Sequence, residues 1–246
     1  MSVRNIKLTI CYDGSSYHGW QRQLNEVTVE QEVTSAIERL CGCKTRVNGA
    51  SRTDARVHAL GQVANIMIDT PIPTKNIAKA LTENLPDDIA IAKAVDVADD
   101  FDAISSAKKK LYRYTICTDL VPPVMQIRHC WHRPGRLDSN NMNKAAGLLI
   151  GKNDFRSFAA AADSRQSSTR TIIRCEITTD GPWFYIDVEA DGFLYNMVRN
   201  IVGTLVEVGR GRWKPEKITN ILEAKDRSAA GPIAPAAGLC LMQIDY

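Results

Sequence analysis

The chain has 246 residues, of which 44% are hydrophobic and 24% are charged, with a formal net charge of +3. These values are typical of a soluble globular protein with one large or two small domains. No run of about 18 apolar residues occurs, and the first residues lack the apolar core of a signal peptide, so we expect neither a membrane span nor secretion. Seven scattered cysteines without a Cys-x-x-Cys pair predict a reduced, cytoplasmic protein with no zinc site at Cys41-Gly-Cys43.

Strand and helix patterns alternate along the first half. Ile6, Leu8, Ile10 and Tyr12 alternate with polar or small residues, which predicts a half-buried strand. The run from Thr28 to Gln31 has the form of a capping box, and apolar residues at helical spacing continue from it to Cys41. Further patterns predict strands at 47–50, 62–68 and 89–95 and a helix at 74–83.

The second half repeats this scheme. Its patterns predict strands at 111–118, 171–178, 183–189 and 239–244 and helices at 140–150, 193–208 and 215–224. No low-complexity linker separates the halves, which favours one shared sheet. We therefore predict an α+β fold of two similar ferredoxin-like halves, residues 1–103 and 104–246, that share a continuous and mostly antiparallel sheet.

The segment from Ser51 to Ala59 has the most chemically informative composition. It places the carboxylate of Asp54 between the guanidiniums of Arg52 and Arg56, close to the imidazole of His58. A neighbouring arginine stabilises an ionised carboxylate, which can act as a nucleophile or a general base, and both arginines attract a polyanion. The alternative is a polar surface turn whose aspartate and arginines only pair with each other.

Basic residues also cluster elsewhere, which is the electrostatic pattern of a nucleic-acid binder, although each cluster alone could be a solvated face. The stretch containing Tyr17, Trp20 and Arg22 combines aromatic and basic side chains suited to RNA contacts. The clusters are Lys108, Lys109, Lys110 and Arg113; Arg165, Arg170 and Arg174; and Arg199, Arg210, Arg212, Lys214 and Lys217.

Four separated segments resemble the TruA family of tRNA pseudouridine synthases, and the resemblance extends nearly end to end. They are Tyr12-Asp13-Gly14 with Gly19-Trp20-Gln21-Arg22-Gln23, the Asp54 loop, Lys110-Leu111-Tyr112-Arg113-Tyr114, and the run from Asp191 to Gly203. The resemblance implies an active-site cleft between the halves and isomerisation of uridine to pseudouridine in the anticodon stem-loop of tRNA, at positions 38 to 40. It implies no cofactor and no metal, and it implies a cytoplasmic homodimer that binds tRNA.

The resemblance also implies roles for individual residues. Asp54 is the catalytic carboxylate, Arg199 pairs with it, and Tyr112 stacks on the uracil or relays its C5 proton. Arg52 helps to turn the target base out of the stack. Arg56, together with Tyr17, Trp20 and Arg22, completes the predicted substrate-binding set. Without the resemblance, Tyr112 would be assigned to the core, and Arg199 could be an ordinary helix-surface arginine, although its neighbours are apolar.

Four positions depart from the family pattern. Ser51 and Arg56 replace glycines, Ile104 replaces an arginine, and Asn153 replaces a histidine. Because glycine adopts positive φ angles at low cost, an arginine at position 56 is expected to be strained. The departures at Ser51, Arg56 and Ile104 motivate one alternative, a pseudouridine synthase acting on another RNA. A second alternative is a catalytically silent RNA-binding protein with the same fold.

Overall fold

The computed structural model describes residues 3–42, 44–163 and 165–246, so Cys43 of the cysteine pair lies outside the described residues. Two compact units are present: residues up to Lys108 together with Cys240–Tyr246, and Lys109–Leu239. The last segment belongs to the first unit because its strand pairs in parallel with a strand there, with Cys240 opposite His58. No helix among the described residues is both long and apolar enough to cross a membrane.

The first unit is a mostly antiparallel sheet covered by two helices. Its strands are β1 (Arg4–Tyr12), β2 (Asn48–Gly49), β3 (His58–Ile68), β4 (Ile89–Asp96) and β10 (Leu239–Asp245), and its helices are α1 (Val29–Cys41) and α2 (Thr74–Thr82). The strand order is β4-β1-β3-β10, and the short β2 pairs with β3. Ile6, Leu8 and Ile10 of β1 are fully buried, as strand alternation predicted.

The start of α1 corrects one prediction. Thr28 does occupy the position before the helix, but its buried hydroxyl has no hydrogen-bond partner, so the predicted capping box does not form. The carbonyls of Gly19 and Trp20 accept hydrogen bonds from the first helical N–H groups, those of Val29 and Glu30, at 3.2 and 2.9 Å. A neighbouring loop, rather than the side chain of Thr28, therefore satisfies the unpaired donors of this helix.

The second unit has the same mixed character. Its strands are β5 (Lys109–Cys117), β6 (Trp131–His132), β7 (Gly151–Asp154), β8 (Thr169–Asp180) and β9 (Trp183–Ala190), and its helices are α3 (Ser139–Gly147), α4 (Met197–Gly209) and α5 (Lys217–Ala224). The strand order is β5-β9-β8-β7, antiparallel throughout, with β6 parallel to β5. The predicted α+β class is confirmed; the cleft between the halves stays a prediction.

Helix α4 begins later than its apolar pattern predicted. The pattern extends from Phe193, but the helix starts at Met197 because Asn196 adopts a left-handed conformation with φ of 60°. That conformation interrupts the helical hydrogen bonds, so residues before Asn196 form a separate loop. Almost all of α4 is buried, which makes it the central helix of this unit.

Gly203 allows α4 to pack directly against the backbone of the loop at 231–234. A Cβ atom added to Gly203 would overlap the carbonyl oxygen of Pro232, and one added to Gly231 would meet the backbone of Thr204. This close approach also lets the Ala234 N–H donate a 3.1 Å hydrogen bond to the carbonyl of Arg199.

We expect Gly203→Ala to lower the melting temperature, although alanine favours a helix over glycine by about 1 kcal/mol. The reason is that the backbone of Pro232 must move to accept the new methyl group. Gly147→Ala in α3 is the matched control, because an added Cβ there meets nothing within 4 Å. That variant should gain stability, so thermal unfolding of the two proteins should shift in opposite directions. Equal gains in both would contradict the packing argument.

Candidate active site

The Asp54 loop is a tight turn that presents charged side chains outward. It connects β2 to β3, and the Val57 N–H closes it by donating a 3.1 Å hydrogen bond to the Asp54 carbonyl. Asp54 is half-buried, whereas Arg52 and Arg56 are exposed. The loop therefore presents a partly shielded carboxylate flanked by two accessible cations.

Arg56 has the strain that the sequence predicted for it. Its φ angle is 64°, a left-handed value that an arginine adopts at a cost and a glycine adopts freely. The Arg56 N–H donates a 3.1 Å hydrogen bond to the carbonyl of Tyr17, which helps to hold the residue in this conformation.

The segment at 17–20 lies directly against the Asp54 loop. The Trp20 N–H donates to the Thr53 carbonyl at 3.1 Å, and a Cβ atom added to Gly19 would overlap the same carbonyl. The Trp20 ring is only 2% exposed and packs on Gly49, where an added Cβ would overlap the indole. Since Trp20 also accepts the hydrogen bond from α1, the loop is connected to a regular helix through one residue.

Side chains on the sheet fix the other side of the loop. The hydroxyls of Tyr12 and Thr53 share a hydrogen bond of 2.7 Å. Gln62 on β3 accepts from the Ser51 N–H at 3.2 Å and donates to the Ser51 carbonyl at 2.6 Å. The residues on both sides of Arg52 are thus held to buried strands, which limits the freedom of the loop that carries Asp54.

The predicted substrate-binding residues of this unit divide into two groups. Arg22, Arg52 and Arg56 are exposed, whereas Tyr17 and Trp20 are 5% and 2% exposed. The Tyr17 hydroxyl donates to Asp88 at 2.5 Å, and burial together with this carboxylate raises its pKa well above the usual range. In this structure the two aromatic rings support the loop; an RNA contact stays a prediction for all five residues.

Tyr112 lies on β5 in the second unit, with its ring buried. Phe193 contacts it edge-on, with ring centroids 5.2 Å apart and an interplanar angle of 89°. Tyr114, on the same face of the strand, donates from its hydroxyl to the Pro235 carbonyl at 2.7 Å. Tyr112 is therefore held by an aromatic neighbour from the loop that precedes α4.

Arg199 lies in the first turn of α4 and is half-buried. Its Nε donates to the Ala234 carbonyl at 2.8 Å and its Nη1 donates to Asn196 Oδ1 at 3.0 Å. These bonds fix the plane of the guanidinium, which carries five N–H donors in all. The predicted ion pair with Asp54 joins residues of different units and stays a prediction.

The second unit also brings together cations that the sequence placed in different clusters. Burial and the positive charge of Arg165 lower the pKa of Lys110 to about 8. Burial and Arg165 likewise lower the pKa of Arg170. Lys110 is two residues before Tyr112 on β5, so the two side chains share a face of the strand. Sequence clustering alone did not link Lys110 to the two arginines.

Other members of the same basic clusters are neutralised locally. Arg113 makes a bidentate pair with the buried Asp187, at 2.7 and 2.8 Å, and its guanidinium lies 5.5 Å from the Tyr185 ring centroid. Arg174 pairs with Glu176 at 2.7 Å. These arginines therefore stabilise the sheet, and the net positive charge of the unit is concentrated elsewhere.

The sequence pattern of the tRNA pseudouridine synthase family matches residues 9–104 and 145–246, which include both the Asp54 loop and α4. The chain belongs to this family. Two proteins called tRNA pseudouridine synthase A are similar to it. The one from Thermoanaerobacter sp. (strain X514) is 45% identical over 99% of this chain and 100% of the relative. The one from Moorella thermoacetica is 48% identical over 98% of this chain and 99% of the relative. A solved archaeal box H/ACA sRNP Nop10-Cbf5 complex is only weakly similar, with a TM-score of 0.37 and 11% identity over 82% of this chain and 44% of that chain.

The departures from the family pattern lie in different environments. Ser51 is buried and held by Gln62, and Asn153 lies on β7 with its amide donating to the Leu149 carbonyl at 3.5 Å. Ile104 is 56% exposed in a turn capped by Asp102. Arg56, exposed and strained beside Asp54, is the departure closest in sequence to the predicted chemistry of this tRNA pseudouridine synthase.

Proposed function

We propose that this tRNA pseudouridine synthase isomerises uridines 38 to 40 in the anticodon stem-loop of tRNA, with Asp54 as the catalytic carboxylate. The observation that carries this proposal is the Asp54 loop. The half-buried Asp54 has an exposed arginine two residues before it and another two residues after it in the chain, and the backbone of the loop is held by Tyr12, Trp20 and Gln62. A catalytic group that must reach one particular atom of a bound RNA requires rigid support of this kind.

The proposed reaction keeps every atom of the base and ribose. The bond between C1′ and N1 breaks, the uracil turns, C5 bonds to C1′, and the proton on C5 is lost while N1 gains one. No electrons are exchanged, so the reaction requires no cofactor and no metal. Asp54 acts in its ionised form, either as the nucleophile at C1′ or as the base that removes a ribose proton.

The remaining residues have proposed roles that match their environments. Tyr112, held edge-on by Phe193, stacks on the uracil or relays the C5 proton. Arg199 keeps Asp54 ionised through the positive charge of its guanidinium. The exposed Arg52 helps to extrude the target nucleotide, which chemistry at C1′ within a stem requires. We further propose a cytoplasmic homodimer that binds tRNA across both subunits.

Release of tritium from tRNA labelled at uridine C5 tests the proposal, because the C5 hydrogen leaves only when C5 bonds to C1′. Transcripts in which uridines 38, 39 and 40 are replaced by cytidine should release no tritium. Release that persists in the triple replacement would favour a synthase with another RNA target, the alternative that Ser51, Arg56 and Ile104 motivate. Absence of release from every RNA tested would favour a catalytically silent RNA-binding protein.

Arg56→Gly should weaken tRNA binding while stabilising the folded protein. The change removes one proposed phosphate ligand and relieves the left-handed strain at φ of 64°. Since each phosphate contact releases counterions, the slope of log affinity against log salt should fall by about 0.7–0.9. Filter binding between about 50 and 200 mM salt measures this slope.

Lys225→Gly is the matched control for Arg56→Gly. Lys225 is also a cation with a positive φ, at 50°, but it caps α5 and pairs with Asp154 at 3.5 Å. The control should relieve similar strain without changing the salt slope. Equal slopes for Arg56→Gly and the parent protein would show that Arg56 is not a phosphate ligand.

A further inference from the structure

The loop before α4 exposes one large aromatic side chain. Tyr195 is 46% exposed, whereas Leu194 and Met197 on either side of the turn are buried. A single exposed tyrosine is common on protein surfaces. The surroundings of Tyr195 are less ordinary, since its backbone is held and cations lie nearby.

Both backbone groups of Tyr195 are hydrogen-bonded to the segment at 160–163. Its N–H donates to Asp163 Oδ2 at 2.7 Å, and its carbonyl accepts from the Ala160 N–H at 2.9 Å. Although burial tends to raise the pKa of Asp163, the hydrogen bonds from Tyr195 and Arg165 lower it, so this anchor stays ionised. The exposed ring is thus presented by a backbone that is already ordered.

Positively charged side chains lie near the loop that carries Tyr195. The Arg165 guanidinium donates to the Phe193 carbonyl at 2.8 Å and to Asp163 at 3.3 Å, and its side chain is exposed. Lys110 and Arg170 lie close enough to Arg165 for its positive charge, after burial, to lower the pKa of each. The exposed guanidinium of Arg165, reinforced by Lys110 and Arg170, therefore attracts an anion.

The same loop contacts both predicted catalytic residues of this unit. Phe193 holds the Tyr112 ring, and Asn196 accepts a hydrogen bond from Arg199. Tyr195 lies between these two contacts in the chain. A nucleotide stacked on its ring would therefore be a neighbour of the nucleotide that reacts.

We propose that Tyr195 is a stacking platform for one unpaired nucleotide adjacent to the target uridine, with Arg165 binding that nucleotide's phosphate. This inference rests on the proposed function, because it places the stacked nucleotide relative to the reacting one. Aromatic rings beside guanidiniums bind single-stranded RNA in this way, and the rigid backbone lowers the entropic cost of ordering the ring.

A double-mutant cycle between the protein and the RNA tests the proposal. Tyr195→Ala should weaken binding of an anticodon stem-loop by about 5- to 150-fold, the range expected for loss of one base stack. Tyr195→Phe should bind within about twofold of the parent, since it keeps the ring. In an abasic scan, one base of the RNA loop is removed at a time. At one position, removing the base should weaken binding to the parent protein as much as Tyr195→Ala does. Removing the same base should hardly change binding to Tyr195→Ala.

Two controls make the result decisive. Tyr185→Ala removes an aromatic side chain that also has a guanidinium nearby, but on the opposite face of the strands from Tyr112, and it should bind RNA like the parent. Melting temperatures identify any variant that fails to fold, and for such a variant Tyr195→Leu replaces Tyr195→Ala in the cycle. Because leucine fills part of the space of the ring without offering an aromatic face, the same coupling at one abasic position is expected.

The outcomes separate the two proposals. Losses that add at every abasic position, or an equal loss in Tyr185→Ala, would overturn the stacking role. If the parent protein forms pseudouridine while the losses add, only the stacking proposal fails. If the parent forms none, the proposed function fails, and coupling at an abasic position would then reveal RNA stacking without catalysis.

Discussion

Asp54→Asn should abolish pseudouridine formation while leaving tRNA affinity within about twofold of the parent. The substitution keeps the shape of the side chain but removes the negative charge that either catalytic role requires. We expect a loss of at least about 10⁴-fold in single-turnover rate, the scale observed when a reacting group itself is removed. The loop should stay in place, since Thr53, Arg56 and Val57 hold it through their own hydrogen bonds.

Two further variants separate charge from position. Asp54→Glu keeps the charge but moves it by one methylene, so its activity should also fall steeply if the carboxylate must meet one atom. Asp100→Asn removes an exposed carboxylate elsewhere in the first unit and should behave like the parent. Activity of Asp54→Asn within tenfold of the parent would disprove the assignment of Asp54 as the catalytic residue.

Much of the secondary structure could be predicted because it follows local periodicity. β1, predicted from alternation at 6–12, extends over Arg4–Tyr12, and the helix predicted from Val29 to Cys41 has those bounds. The errors lie at the starts of two helices, where a contact with another loop or a single backbone angle decides. The donors at the start of α1 are satisfied by Gly19 and Trp20, and the start of α4 is set by the left-handed Asn196. Neither feature leaves a periodic pattern in the sequence.

The candidate site shows the same division. The motif identifies Asp54 and its arginines, and the glycine replaced by Arg56 correctly predicted a positive φ. The bonds that hold the loop, such as Trp20 to Thr53, join residues far apart in the chain and could not be anticipated. The clusters of basic residues in the sequence were a misleading guide to positive charge for a related reason. Arg113 on β5 is neutralised by Asp187 on the neighbouring strand β9, which lies far away in the chain.

Arg199 is expected to affect both stability and catalysis, and a matched arginine separates the two effects. Its guanidinium donates to the Ala234 carbonyl at 2.8 Å and to Asn196 at 3.0 Å. Arg199→Leu leaves both acceptors without this donor and, if Asp54 is its partner, also leaves that carboxylate unpaired. Removing one partner of a partly buried pair leaves the other charge uncompensated, so both melting temperature and activity should fall.

Arg227→Leu provides the comparison. Its guanidinium also donates to an asparagine of α4, Asn200, at 2.9 Å, and to a backbone carbonyl, that of Ala230, at 3.5 Å. We expect this variant to lose stability but to keep the parent's single-turnover rate at a temperature where it is folded. Arg199→Lys should recover part of the stability and little of the rate, because an ammonium cannot reproduce the planar arrangement of donors. If Arg199→Leu and Arg227→Leu lose stability equally and both keep full activity, Arg199 is a structural arginine and Asp54 must be kept ionised by other groups.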